Sequence, residues 1–270
     1  YSPLEVRQPS QRTIRDLAAG HGVNTVYADG NDVQDVYKNA CAAVQELRQG
    51  SGPVFLELPT YRWLEHCGPG YDNDIGYRSE AEFQDWKLRD PLAITSHQLA
   101  ASLDSVEIDT ISKEIENAFL TAINDPLPDP ATAALHVYAP STDIKSVPER
   151  GTRELTYAEA LREAQDMSLT KFPNSYLMGL GVPDPKGIFG TTLSLQEKYG
   201  KERVFDIPLS ENAMTGVAIG SAVTGLRPIL THQRIDFALV SIDQIVNQAA
   251  KWHYMFNGTM KVPMVIRMII

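Results

Sequence analysis

The chain has 270 residues, 43% hydrophobic and 21% charged, a composition that excludes a disordered or fibrous polymer and a length that points to two moderate domains. With 34 acidic against 24 basic residues the formal net charge is −10, so there is no basic footprint for nucleic acid and no nucleic-acid partner is expected. Cys41 and Cys67 have no metal-binding spacing and fit free thiols in a reducing cytoplasm, and no apolar run approaches the roughly 20 residues of a membrane helix, so no membrane partner is expected.

The opening YSPLEVRQPSQ has no basic stretch before an apolar core and no initiator Met, and the closing VPMVIRMII resembles a strand running out of the record; both ends read as cut from something longer. Residues 23–28 predict a strand, and Asp29-Gly30-Asn31 a turn. A helix follows over Asp32–Gln49, with Val33, Val36, Tyr37, Ala40, Val44 and Leu47 at helical spacing and Gly50 at a left-handed C-cap. Pro53–Thr60 is the next strand, and strand–helix–strand with short links implies a right-handed crossover in a parallel sheet. Residues 61–78 form a long polar loop of the kind that is functional or disordered. Ser79 and Glu82 predict a capping box on a helix ending near Asp90-Pro91, with two further helices near 92–103 and 107–124. The stretch 125–152 holds five prolines and little apolar periodicity, and divides the chain into a domain over 1–124, a linker over 125–152 and a domain over 153–270. In the second domain Thr156 and Glu159 predict a capping box on a helix to about Ser168. Strands are expected at Ser175–Met178, Arg203–Ile207, Arg227–Thr231 and Val262–Ile270, and helices at Thr191–Tyr199, Glu211–Thr224 and Phe237–Tyr254. Both halves are therefore α/β, with a ligand site expected at the seam between them.

Several ordered stretches carry a family resemblance. In the first half they are ADGNDVQDVY, PVFLELPTYRW, and EHC followed by GYRSEAEFQDWKLRDPL. In the second they are LTYAEALREA, LMG, GIFGTTLSLQEKYGKERVFDIPLSENAMTGVAIGSAVTGLRP and DFALVSIDQIVNQAAKWHYMF. The first set resembles the last part of the alpha subunit, and the second the opening of the beta subunit, of the thiamine-diphosphate-dependent 2-oxo acid dehydrogenases, in their decarboxylating first component. The resemblance implies two thiamine-diphosphate-binding-type domains, each a mostly parallel sheet flanked by helices. It also implies thiamine diphosphate and Mg2+ as cofactors, a 2-oxo acid substrate, a lipoyl acyltransferase as acceptor of the acyl group, and a homo-oligomer of at least two chains.

The family's chemistry needs a carboxylate on a pyrimidine ring nitrogen, sheltered so that its proton affinity rises toward that of the ring. The matching residue is Glu211, in IPLSENAM; its other reading is a first-turn acid stabilised by the helix dipole. Gly216 and Gly220 would let that helix approach a neighbour closely. Phe237 falls where the family stacks a ring on the aminopyrimidine, or else it opens a helix from the core. Gln233 matches a polar position near that pocket. His232 and Arg234 flank it where many relatives are apolar; of tuning substrate polarity and meeting a partner subunit, the second is favoured. His66 matches a loop histidine that touches cofactor phosphates and the reacting groups, against the reading of a surface residue. Cys67 stands where some animal relatives carry a phosphorylated serine, so that control is not expected. Arg62, Asp72, Tyr77 and Arg78 resemble residues that order this loop over the cofactor, or are solvated loop polars.

Two features depart from the family. Relatives usually carry an acid after the LMG strand, where this chain has Leu180-Gly181. The Gly-Asp-Gly motif and its partner Asn, which hold magnesium through hard oxygen ligands, are expected before Tyr1, and Tyr1 itself resembles the residue that offers the metal a main-chain carbonyl. A beta-half histidine is expected after Ile270. Alternatives are a thiamine-dependent carboligase or transketolase-like enzyme, which Leu180 favours, and a non-catalytic paralogue of the same fold. A plain nucleotide-binding protein would want a Gly-rich phosphate loop, which the sequence lacks.

Overall fold

The computed structural model describes residues 4–99, 105–140 and 151–270. The chain divides into two compact units, Tyr1–Asp125 and Pro126–Ile270. Both are α/β, with parallel strand pairing throughout. Among the described residues no helix is long and apolar enough to cross a membrane.

In the first unit the elements run α1 (Leu4–Arg7), α2 (Ile14–Gly20), β1 (Asn24–Tyr27), α3 (Val33–Arg48), β2 (Val54–Glu57), α4 (Glu80–Lys87), α5 (Pro91–Leu99) and α6 (Ser105–Asn124). Thr13 opens α2 with a reciprocal capping box to Asp16, a Thr-x-x-Asp signal that the sequence reading passed over. Asp32 caps α3 by accepting the N–H groups of Gln34 and Asp35 at 2.9 and 3.3 Å. Gly50, just beyond that helix, has φ +82°, as its place demanded. The expected crossover is formed: Asn24–Tyr27 pairs in parallel with Val54–Glu57, one residue against one. Gly30 is required in the turn after β1, because a Cβ there would lie 2.5 Å from the Pro59 carbonyl oxygen. At α4 only half of the expected capping box is present: Ser79 Oγ accepts the Glu82 N–H at 3.1 Å.

The second unit holds α7 (Tyr157–Lys171), β3 (Ser175–Met178), α8 (Leu195–Tyr199), β4 (Val204–Phe205), α9 (Glu211–Val223), β5 (Arg227–His232), α10 (Ile235–Ala238), α11 (Trp252–Met255) and β6 (Val265–Met268). The sheet order is β4-β3-β5-β6. The chain leaves β3 toward one edge to make β4, then returns across β3 to make β5. With right-handed crossovers, α8 and α9 must then cover opposite faces. Burial follows that rule. Leu177 and Ile229 pack with Leu169, Val182, Ile188, Leu195 and Val204, while Tyr176, Met178 and Leu230 pack with Ile207 and Ala218. The alternation of period two along β3 and β5 thus serves two cores at once.

Two helices differ from expectation. The one expected over Thr191–Tyr199 begins only at Leu195. Gly187, Phe189, Gly190 and Ser194 all have positive φ, which no helix accommodates. The threonines are spent on the turn instead: Thr191 Oγ1 donates to the Ile188 carbonyl at 2.5 Å and Thr192 Oγ1 to the Val182 carbonyl at 2.8 Å. The long helix expected over Phe237–Tyr254 is broken into α10, a tight turn at Leu239–Ser241, a widened π-helical stretch at Gln244–Ala249, and α11. Ser241 is fully buried and its hydroxyl is hydrogen-bonded to that of Thr215 of α9 at 2.9 Å, fixing the run to its neighbour where it changes winding. Before α7, Asp129 caps a short turn at Pro130–Thr132, and the Tyr254 hydroxyl of α11 donates to the Ala133 carbonyl at 3.3 Å.

Leu177 is 0% exposed at the centre of the α7/α8 face, whereas Leu209 is 75% exposed. Leu177→Ala is expected to lower unfolding stability by about 2–5 kcal/mol in urea titrations, and Leu209→Ala by less than about 0.5 kcal/mol.

Candidate functional site

The site in the second unit forms at the carboxyl ends of its parallel strands, where β3 and β5 send their chains in different directions; such a divergence is where open α/β sheets hold ligands. The loop leaving β3 is tied on both sides. The Gly181 N–H donates to Asp206 Oδ1 in the β4 exit at 2.9 Å, and Gln233 Nε2 at the β5 exit donates to the Leu180 carbonyl at 3.0 Å. Gly181 has φ +77°, and a Cβ on it would lie 2.9 Å from both Asp184 Oδ2 and Gln233 Nε2. The loop encloses a cavity of about 490 Å³ lined by Gly181, Asp184, Lys186, Phe189, Gln233 and Arg234, among others.

Glu211 is the first residue of α9 and is half-buried. Ser210 before it makes no side-chain cap, so the carboxylate stands alone at the positive end of the helix. One turn on, Thr215 is fully buried and its hydroxyl donates to the Glu211 carbonyl at 2.7 Å, holding the first turn closed. On the neighbouring strand His232 is 3% exposed, and its Nε2 is buried without a hydrogen-bond partner among the described residues. Burial pushes the His232 imidazole below its usual pKa, against the opposing influence of the Glu211 charge. The expectation that His232 meets a partner subunit is therefore corrected: the side chain is turned into its own unit. Arg234 is exposed and pairs with Asp236 at 3.1 Å. Phe237 lies in α10 with 42% of its surface exposed, so its ring is not consumed by the core. Gly216 is where α9 approaches the π-helical stretch: a Cβ there would sit 3.3 Å from Gln244 Oε1. Gly220 faces open space.

In the first unit, the loop over 61–78 has no helix or strand and is nevertheless built around a core of its own. Arg78 and Asp72 form an ion pair whose side chains are 6% and 4% exposed. The same guanidinium donates to the Arg62 carbonyl and lies 4.6 Å over the Tyr61 ring. Tyr61 stacks on Trp86 at 5.5 Å, and Trp63 and Tyr71 meet Phe83 edge-on. Arg62 in turn donates to the carbonyls of Glu65 and His66 at 2.7 and 3.3 Å. The loop so held presents exposed His66, Cys67 and Tyr77 to a cavity of about 520 Å³, which Arg7, Glu65 and Asp72 also line.

The cofactor-site residues singled out from sequence fall as follows. His66 and Tyr77 line that first cavity, with Arg62 and Arg78 fixing the backbone beneath them. Glu211, Gln233 and Phe237 gather at the carboxyl edge of the second sheet. Tyr1 lies outside the described residues. Sequence reasoning missed Asp206, whose Oδ1 accepts from Gly181 and from Ile207 at 2.8 Å. Its signal was an acid directly after a strand and five residues before Glu211.

Two family models match separate stretches of the chain. Residues 4–131 match the family described as Dehydrogenase E1 component, and residues 153–270 the family described as Transketolase, pyrimidine binding domain. The chain is 38% identical over 138 residues to the pyruvate dehydrogenase E1 component subunit beta-2, mitochondrial, of Oryza sativa subsp. japonica, a match covering 51% of this chain and 35% of the relative. It is 42% identical over 114 residues to the pyruvate dehydrogenase E1 component subunit beta of Chaetosphaeridium globosum (42% and 35%). It is 39% identical over 114 residues to that subunit of Rickettsia bellii (42% and 35%). The chain spans about a third of the length of the curated relatives it matches.

The bond from Arg78 holds the Asp72 carboxyl below its ordinary pKa. A group with a depressed folded pKa contributes stability that is full above its unfolded value of about 4 and is lost as pH falls through the lower folded value. Limited proteolysis of the 61–78 loop is accordingly expected to stay slow from neutral pH to about 4 and to accelerate below it. Asp72→Asn is expected to be cut rapidly at every pH.

Proposed function

We propose, for a chain that belongs to the thiamine-diphosphate-dependent 2-oxo acid dehydrogenase E1 family of the transketolase-like superfamily, that it takes part in decarboxylating a 2-oxo acid on thiamine diphosphate. The observation that carries the proposal is the half-buried carboxylate of Glu211 at the carboxyl edge of the second sheet, with Gln233 and the open Phe237 ring on the same edge. These residues fit a flat, polar-edged heterocycle: an acid, an amide and an uncommitted aromatic ring. When bound, thiamine diphosphate supplies the electron sink that makes loss of carbon dioxide from a 2-oxo acid feasible. Glu211 would hold and exchange a proton at a ring nitrogen. Gln233 would fix the edge of the ring while bracing the Leu180 backbone, and Phe237 would stack on its face.

In the first unit His66 and Tyr77 would meet the phosphate-bearing side of the cofactor and the substrate, on a loop that Arg62, Asp72 and Arg78 keep ordered. Magnesium belongs to the same proposal through the family. Among the described residues no group of three or more His, Cys, Asp or Glu stands together to hold a metal, and no step here involves it. Acyl transfer to a lipoyl group on a separate acyltransferase is the fate of the product that this reading assigns, and pyruvate, which the relatives' names carry, is the first substrate to assay. An assembly of at least two chains is supported by the apolar stripe Ile108, Ile111, Ile115, Phe119 and Ile123 on α6, all exposed. A cytoplasmic location is supported by the unpaired thiols of Cys41 and Cys67.

A second reading, a thiamine-dependent carboligase with an aldehyde acceptor, is favoured by one observation. Where relatives carry an acid, the Leu180 side chain packs into the apolar cluster with Met178 and Ile207. Lipoyl-dependent acyl transfer with purified components separates the two readings.

In the full-length protein, Glu211→Gln and Glu211→Ala are expected to lower turnover by about 100-fold or more with an unchanged circular dichroism spectrum. Thiazolium proton exchange, followed by NMR, is expected to slow in parallel. Undiminished exchange in either variant removes Glu211 from the assigned role.

A further inference from the structure

A cation at the carboxyl end of β6 has no opposite charge beside it among the described residues. Thr231 of β5 and Arg267 of β6 are partners in register, and Ile229, two residues before Thr231, packs with Leu177 and Leu169, so both side chains point to the α7 face of the sheet. There the Arg267 guanidinium is half-buried and donates to neutral oxygens alone: Nη1 to Gln165 Oε1 at 3.4 Å and Nη2 to Thr191 Oγ1 at 2.7 Å. Both acceptors are 5% exposed and held in place. Gln165 Nε2 donates to the Leu161 and Thr191 carbonyls at 3.1 and 2.7 Å, and Thr191 Oγ1 to the Ile188 carbonyl. Burial works against the charge on Arg267, and only Tyr157 works the other way. A guanidinium taken out of water without an anion is costly, whereas a paired one is tolerated. Its Nε has no partner among the described residues and is not sealed, so donors are left over. The Thr231 hydroxyl, on the same face of the neighbouring strand, is buried and also without a partner among the described residues. Arg267 lines a cavity of about 390 Å³ and is the one charged side chain in its wall; Tyr157, Ala158, Leu161 and Phe189 stand among the others.

We propose that Arg267 anchors a binding site for a small aliphatic carboxylate, with the carboxylate on the guanidinium and a short carbon tail against Leu161 and Phe189. A carboxylate supplies the missing charge, and its two oxygens match the planar fork of N–H groups. The apolar walls decide the rest of the ligand. An inorganic anion, hydrated on every side, would lose water against them with nothing in return, whereas an aliphatic tail gains by leaving water.

Ligand-observed NMR on the full-length protein tests this with butyrate, acetate and the neutral butyramide. Butyrate is expected to bind, acetate to bind about tenfold more weakly for want of two methylene groups, and butyramide to give no detectable binding. Arg267→Met is expected to weaken butyrate about 10- to 100-fold, the loss of hydrogen bonds to a charged group. Arg267→Lys, which keeps the charge without the fork, is expected to weaken it by less. Leu161→Trp, which narrows the space for the tail, is expected to weaken butyrate and spare acetate. Butyramide binding as well as butyrate, acetate binding as well as butyrate, or undiminished butyrate binding in Arg267→Met each overturns the proposal. Wild-type protein that binds no carboxylate overturns it too, because the guanidinium is then taken by an acidic side chain of the protein itself. The comparison of the three probes on the wild type decides the matter even if the methionine variant fails to fold.

Discussion

Everything at the candidate site depends on the β3–β5 strand pair being buried on both faces. Each fully buried leucine-sized side chain contributes roughly 1.5–3 kcal/mol by leaving water, and Leu177, Met178, Ile229 and Leu230 do so on alternate sides. A sheet covered in this way has no face left for a ligand. Only its ends are open, and at the carboxyl end the chain must leave β3 and β5 in opposite directions to build β4 on one edge and β6 on the other. The crevice bounded by Leu180, Gly181 and Gln233 is the geometric consequence of that strand order, and α9 delivers Glu211 to the same end because it starts there on its way back to β5.

The loop over 61–78 solves a different problem. It has no ladder of backbone bonds, so its order must come from side chains. Arg78 takes that part by bonding to Asp72 and to the Arg62 carbonyl while lying on Tyr61. A buried ion pair is poor evidence of net stability, because desolvation offsets much of the attraction. Its value here is specificity: a guanidinium with several acceptors in fixed directions allows one loop shape and penalises others. His66, Cys67 and Tyr77 face the cavity from the loop so held.

How much could be seen in the sequence follows from how local each signal is. Capping residues and period-two strands act over a few positions, and Asp32, Thr156, Ser175–Met178 and Glu211–Val223 stand where the pattern put them. The failures are at places where tertiary bonds override local preference. Thr191 and Thr192 have an apolar-periodic continuation and would extend α8, but their hydroxyls close a turn through left-handed residues instead. The run from Phe237 to Tyr254 has helical spacing throughout, yet its winding is set by one buried contact, Ser241 on Thr215. The site residues were legible as a family pattern, whereas the inward direction of His232 was not. Whether a residue at the end of a strand faces core or solvent depends on register, and one position of shift reverses it.

The polar groups of the second unit sort into two kinds. Asp206, Thr192, Gln165 and Ser175 are all engaged: each bonds backbone or a neighbouring side chain, and each explains a turn or a strand exit. Thr231 Oγ1 and His232 Nε2 are buried and engaged by nothing among the described residues. An unpaired buried polar atom costs about 1–3 kcal/mol, a large share of the roughly 5–15 kcal/mol by which a domain of this kind is stable. The two fall on consecutive residues at the exit of the strand that bounds the crevice, on opposite faces of the sheet, and His253 Nε2 of α11 is a third such atom in this unit.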